Sequence, residues 1–300
     1  MNSFGAVETG GTKIKCLIGT SPDDIYSQAT FPTTNPEETL AKVIDFFRLH
    51  LDESNIDLKA IGIASFGPLD LNPASETYGF ITHTPKPGWQ MTNVAGYLSD
   101  ALAIPAYIDT DVNGAVLGEY AWGAGKNIEN LVYLTVGTGI GGGALINGLP
   151  LHGLIHPEMG HMRIQHDWIN DPFAGSCPFH GDCLEGMASG TAIEKRWGRK
   201  GEDLPDNHPA WRLEVYYLAQ AIVNVVLIIS PQRVIIGGGV MGNTDLYEMI
   251  RTQVKELLAG YVHARQILVG IDEFISAPGL GSQSGVLGAL ALAINRHSKK

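Results

Sequence analysis

Residues 4–18 read FGAVETGGTKIKCLI: an apolar strand over 4–8, a turn of glycine and threonine, and a second apolar strand over 14–18. Residues 130–148, NLVYLTVGTGIGGGALING, repeat the design in different letters. Both stretches read as hairpins bent round glycine, which tolerates the tight backbone such turns require. An ancient duplication would account for the likeness, and so would chance among glycine hairpins. A third strand is expected over 25–31. Pro36 then opens a helix in which Leu40, Val43, Ile44, Phe47 and Leu51 recur at three- and four-residue spacing. The run KAIGIAS at 59–65 is a buried-strand pattern stopped by Phe66-Gly67-Pro68. Residues 66–92, rich in Pro, Thr and Gly, form a long irregular stretch of the kind that is usually functional or mobile.

A helix over 93–102, a strand over 106–109 and a helix over 112–120 follow. Beyond the second hairpin, residues 150–185 show no clear periodicity and hold five of the ten histidines. Helix 211–229, strand 233–236, helix 244–259, a glycine turn GLGSQSG and a helix from 284 to about 295 complete the chain. Strands alternating with long helices make this an α/β protein. A domain boundary is expected within 111–125, with the last helix returning to the first domain.

Composition narrows the function. Of 300 residues 37 are glycine, above the usual share of about 7% and without collagen's three-residue period. Charged residues make up 17%, against roughly 25% in an ordinary soluble protein. The hydrophobic 44% suffices for a large core. A net charge of -11 argues against broad nucleic-acid or anionic-membrane binding, which needs a basic face. It does not exclude one phosphate ligand held by backbone amides and a metal. The N-terminus lacks a signal pattern and the apolar run 222–229 is far short of a membrane span, so a cytoplasmic protein is expected. Three cysteines rule out a disulfide scaffold.

Three glycine loops and one acid carry candidate chemistry. The first loop, Glu8-Thr9-Gly10-Gly11-Thr12-Lys13, could cradle phosphate oxygens on bare amides or simply close a hairpin. It matches neither GxxxxGK[ST] nor GxGxxG. The second, Gly137-Thr138-Gly139-Ile140-Gly141-Gly142-Gly143, has the same character. The third, Gly237-Gly238-Gly239, follows a buried strand, where ligands collect. Together the three favour a nucleotide site. Asp111, after a strand and at a helix start, is either an N-cap or a carboxylate that takes a hydroxyl proton during phosphoryl transfer; Asp109 could cap equally well.

His161, Cys177, His180 and Cys183 are thiolate and imidazole donors of the kind zinc prefers. Four protein ligands close a tetrahedral site and leave no position for reactive water, so a structural Zn²⁺ is expected. A Cys177–Cys183 disulfide is disfavoured in reducing cytosol. His152, His156 and His166 are the alternative ligands, and Cys16 reads as a small buried hydrophobe.

The series GAVETGGTK, GIASFGPLD, DTDVNGAVLGE, LTVGTGIGGG, HPEMGH, CPFHGDCLEG and VIIGGGVMG, in this order, resembles the ROK family (repressors, open reading frames and kinases), its fructokinase branch above all. The resemblance runs almost end to end. It implies a two-domain ribonuclease H-like (actin/hexokinase-type) sugar kinase fold with an interdomain cleft. One domain would be 1–112, completed by 284–300; the other would be 113–283, with a zinc-binding insertion at 150–185. It implies ATP and Mg²⁺ as cofactors, a hexose as substrate, and a homodimer. Gly10, Gly11, Thr12 and Lys13 match the first phosphate loop, Thr138 and Gly139 the second, and Gly237, Gly238 and Gly239 would approach the adenosine side. Asp111 matches the family's catalytic aspartate. Glu158, His161 and Glu185 match positions near the sugar hydroxyls, with Gly67 and Asn113 shaping the same pocket. Thr110 stands where glucose-phosphorylating relatives usually have Asn, and Glu8 where many have Asp, facing a magnesium-bound water. His180 replaces the cysteine often found in the family's zinc motif.

The expected activity is therefore phosphorylation of D-fructose to D-fructose 6-phosphate by ATP. Rival readings are a kinase for glucose, mannose or an N-acetylhexosamine, and a non-catalytic sugar sensor. A transcriptional regulator would need an N-terminal DNA-binding helix pair, for which the first loop, beginning by residue 10, leaves no room.

Overall fold

The computed structural model describes residues 2–53 and 56–298, so residues 299–300 of the expected closing segment lie outside the described residues. The chain forms two units. The first runs through Lys126 and takes back Pro150–Pro157 and the chain from Ser282 onward; the second comprises Asn127–Leu149 and Glu158–Gly281.

The first unit begins with β1 (Asn2–Thr9), β2 (Lys13–Ser21), β3 (Asp24–Pro32), α1 (Pro36–Glu53) and β4 (Asp57–Ser65). The short β5 (Phe80–Ile81) and β6 (Thr92–Asn93) pair with each other, and α2 (Val94–Leu102), β7 (Ala106–Thr110) and α3 (Asp111–Trp122) follow. Its sheet has the order β3-β2-β1-β4-β7. β1 and β2 form the antiparallel hairpin, while β1, β4 and β7 run parallel with Thr9 opposite Ser65 and Ser65 opposite Thr110. One face of the sheet packs Val7, Ile14, Cys16, Ile61 and Ile63 against Leu40, Val43 and Phe47 of α1 and Leu98 of α2. These α1 positions follow the 3.6-residue period that marks the helix in the sequence.

The second unit contains β8 (Leu131–Val136), β9 (Ile140–Ile146) and the two-residue edge strand β10 (Leu149–Pro150), at which the chain crosses to the first unit. After it come α4 (Leu184–Ala188), α5 (Gly190–Trp197), α6 (Ala210–Ile229), β11 (Arg233–Gly237), α7 (Asp245–Leu258), the short α8 (Arg265–Leu268) and α9 (Ile271–Phe274), and β12 (Ile275–Ser276). The sheet order is β10-β9-β8-β11-β12. A hairpin with a parallel strand on the far side of its first strand thus occurs in both units, β2-β1-β4 and β9-β8-β11, so the likeness of the two glycine hairpins extends to topology. α4 and α5, five and eight residues long, are too short to show an apolar period in the sequence. α6 has the length and mean hydropathy (1.5) of a membrane span, which a reading confined to 222–229 missed. Half of that window is buried, and α6 packs on α4 and α7 as a core helix.

α10 (Ser284–His297) returns to the first unit and lies along α3 and the sheet's second face. This packing places α3 in the first unit, whereas the expected boundary at residue 112 falls at its start. The two helices approach through glycine: a Cβ on Gly288 would stand 1.6 Å from the Gly114 carbonyl oxygen. Gly288→Ala must push α3 off α10 and is expected to cost about 1–3 kcal/mol. A urea unfolding midpoint unchanged from wild type would refute that packing constraint.

Candidate active site

In the first unit the parallel strands bring three expected site segments to one sheet edge. β1, β4 and β7 end in register, so Gly10, the Phe66-Gly67 turn and Asp111 follow Thr9, Ser65 and Thr110 side by side. Thr9 Oγ1 donates to Ser65 Oγ at 2.7 Å, and Ser65 Oγ donates to the Phe66 carbonyl at 2.9 Å, tying the first two ends together. The carboxyl ends of parallel strands are where open α/β sheets bind ligands. In the first glycine loop the Gly10 amide donates to the Lys13 carbonyl at 2.9 Å, and Thr33 Oγ1 donates to the Gly10 carbonyl at 2.8 Å. Gly11, Thr12 and Lys13 are exposed. Glu8 Oε2 pairs with Lys15 Nζ at 2.8 Å, and that ammonium also donates to the Ser282 carbonyl.

The structure decides which residue caps α3. Thr110 is extended (φ -66°, ψ 155°) and its Oγ1 accepts the Asn113 amide at 3.1 Å, so Thr110 is the N-cap. Asp111 is the first helical residue, and its Oδ1 accepts the Val112 amide at 2.9 Å. Neither acid is needed as the cap. Asp109 is fully buried and accepts the Thr110 amide at 2.8 Å and Asn113 Nδ2 at 2.7 Å. Asn113 is buried with its amide committed to that bond.

Two histidines missed as site residues complete this edge. His152 Nε2 lies 3.1 Å from Asp109 Oδ2, and that carboxylate raises the imidazole pKa above its ordinary value. His156 Nε2 accepts the Leu69 amide at 3.1 Å and lies against Gly67. In the sequence they stand out only as alternative zinc ligands, because nothing local says that Pro150–Pro157 joins the first unit.

In the second unit the second and third loops adjoin at the carboxyl ends of β8 and β11, which run parallel with Thr135 opposite Gly237. Gly238 has φ +99°, and a Cβ there would stand 2.3 Å from the Val136 carbonyl oxygen, one residue before Gly137. Only glycine fits so close an approach with that backbone. Gly239 is exposed beside it. Thr138 is exposed, and its carbonyl accepts the Thr191 hydroxyl at 2.7 Å, while the Gly190 amide donates to the Gly137 carbonyl at 2.7 Å. The start of α5 thereby holds the second loop.

Glu185 joins this loop to the cysteine segment. Its Oε2 accepts the Ile140 amide at 3.0 Å and lies against Gly139. Partial desolvation, and secondarily the Glu185 carboxylate, hold Glu158 above the usual carboxylate range. The two carboxylates therefore lie close enough for their charges to interact.

His161, Cys177, His180 and Cys183 bring one donor atom each within 4.8 Å of one another. Cys177 Sγ is 3.7 Å from both His161 Nδ1 and His180 Nδ1, and Cys183 Sγ is 3.5 Å from His161 Nδ1. A tetrahedron with Zn–S and Zn–N bonds of roughly 2.3 and 2.05 Å has S···N edges of about 3.6 Å, so this donor set fits zinc. Gly181 (φ +65°) makes the sharp turn that brings Cys177 back toward Cys183. Burial, and then the neighbouring Cys177, push the Cys183 thiol up to about 11, although a backbone hydrogen bond from Gly186 opposes them. A dication in the centre would reverse that preference. His152, His156 and His166 stand outside the cluster; His166 faces the Asp171 carbonyl at 2.9 Å. Cys16 is buried in the first unit's core, as the sequence leads one to expect.

Known proteins resemble this chain over nearly its whole length. The ROK family profile matches residues 4–296. A fructokinase of Zymomonas mobilis is 44% identical over 299 residues, covering 99% of this chain and 98% of its own. A ROK hexokinase from Thermus thermophilus superposes with a TM-score of 0.82 at 26% identity, over 99% of this chain and 100% of the other. A ROK family glucokinase from Streptomyces griseus, solved with glucose and AMPPNP, shares the fold at a TM-score of 0.70 and 22% identity, covering 98% and 99% of the two chains. These likenesses show the actin/hexokinase-type α/β fold.

Proposed function

The chain belongs to the ROK family, and from that premise we propose that it transfers the γ-phosphoryl group of ATP to the 6-hydroxyl of D-fructose. The observation that carries the choice of sugar is the 44% identity, end to end, with a fructokinase. Asp111 orients the hydroxyl and takes its proton as the oxygen–phosphorus bond forms. Amides of the Gly10–Lys13 and Gly137–Gly143 loops receive the phosphates, and Gly237–Gly239 lie toward the adenosine. A magnesium ion carried on the nucleotide's phosphates would supply charge neutralisation there. His161, Cys177, His180 and Cys183 would hold a structural zinc ion, and the segment they fix carries Glu158 and Glu185 toward the sugar.

The test is a sugar panel run with ATP and Mg²⁺ and coupled detection of ADP. Fructose should give a kcat/KM about tenfold or more above glucose, mannose and N-acetylglucosamine, the discrimination that a few specific hydroxyl contacts provide. Equal or faster turnover of another hexose would move the assignment to that sugar.

A further inference from the structure

The 66–92 stretch contains a cation that the reading above does not use. Lys86 Nζ donates to the carbonyl of Gly11, in the middle of the first glycine loop, from 75 residues away in sequence. The same ammonium lies 5.3 Å from the centre of the Phe66 ring, within range of a cation–π contact. Phe66 immediately precedes Gly67, so Lys86 stands between the phosphate loop and the Gly67 turn of the same sheet edge. The ring it meets is itself packed against a buried side chain. Trp89, fully buried, donates Nε1 to the Thr34 carbonyl at 2.8 Å and meets Phe66 edge-on at 5.3 Å.

No carboxylate lies within ion-pair distance of Lys86 among the described residues. Desolvation alone accounts for the lowering of its pKa below the ordinary lysine value. A half-buried ammonium held by one neutral carbonyl and one ring would gain from an incoming anion. Lys13, the other lysine at this loop, is exposed.

We propose that Lys86 is a phosphate-contacting residue, whose ammonium leaves the Gly11 carbonyl to pair with the terminal phosphoryl group of the nucleotide at the first glycine loop. The proposal rests on the kinase reading above. In the transfer, the hydroxyl proton passes to Asp111, the sugar O6–phosphorus bond forms, the bond from phosphorus to the β-phosphate oxygen breaks, and ADP leaves. Lys86 gives up no proton; it donates hydrogen bonds to the phosphoryl oxygens and offsets charge that would otherwise build up there.

The test compares wild type, Lys86→Met and Lys86→Arg by calorimetric titration with Mg·AMPPNP and with Mg·ADP, fructose present, and by kcat with ATP and fructose. Lys86→Met should weaken AMPPNP about tenfold or more while changing ADP less than about twofold, and should lower kcat about ten- to a hundredfold, as expected for one lost charge-assisted bond. Lys86→Arg should restore most of the AMPPNP preference. An unchanged AMPPNP:ADP ratio in Lys86→Met overturns the proposal, even if kcat falls, because that pattern means that Lys86 merely braces the loop. A wild type that turns over no hexose fails the kinase reading instead, and the binding ratio still decides Lys86.

Discussion

Asp111→Asn should fold, bind nucleotide as tightly as wild type, and lose about a thousandfold in kcat, within the range that one general base contributes. Two features make this substitution clean. The N-cap of α3 is Thr110, so removing the charge at Asp111 does not uncap the helix. An asparagine can still accept the Val112 amide that Asp111 Oδ1 accepts at 2.9 Å, which keeps the side chain in place. What it cannot do is take a proton. Calorimetric nucleotide affinity and the thermal midpoint serve as controls, and turnover by the variant at the wild-type rate would sink the general-base assignment.

Cys183→Ser should release zinc and destabilise the second unit, by about 5 kcal/mol or more on the scale of structural zinc sites. At roughly 2–4 °C per kcal/mol for a domain of this size, the midpoint should fall by about 10 °C or more. Cys183 immediately precedes α4, and Glu185, two residues on, accepts the Ile140 amide within the second glycine loop. Loss of the metal should therefore raise the KM for sugar as well as lower stability. Elemental analysis of the intact protein supplies the direct check. One zinc per chain is expected, and none in the intact protein would overturn the structural site.

Most of the strand and helix pattern is legible in the residues themselves. The 3.6-residue recurrence in α1 and the two glycine hairpins announce their elements because the period, the turn residue and the apolar faces all lie within one short window. Three of the four candidate metal donors are legible for the same reason, since Cys177, His180 and Cys183 follow one another at fixed spacing. α4 and α5 are not legible in the same way because, at five and eight residues, they are shorter than the window over which a helical period can be recognised.

By itself, then, the sequence determined the α/β class, the three glycine loops, the candidate base and the candidate metal donors. Tertiary structure decided which of three neighbouring residues caps α3, and it placed Thr110 there, with Asp111 on the first turn and Asp109 buried beneath. It also decided that His152 meets Asp109 across 43 residues, and that Lys86, not Lys13, contacts the Gly11 carbonyl across 75. The reason is physical. Local spacing fixes what a segment can become, whereas distant side chains meet only where strand register and close helix contact bring their elements together. In this chain those are the aligned ends of β1, β4 and β7 and the Gly114–Gly288 approach of α3 and α10.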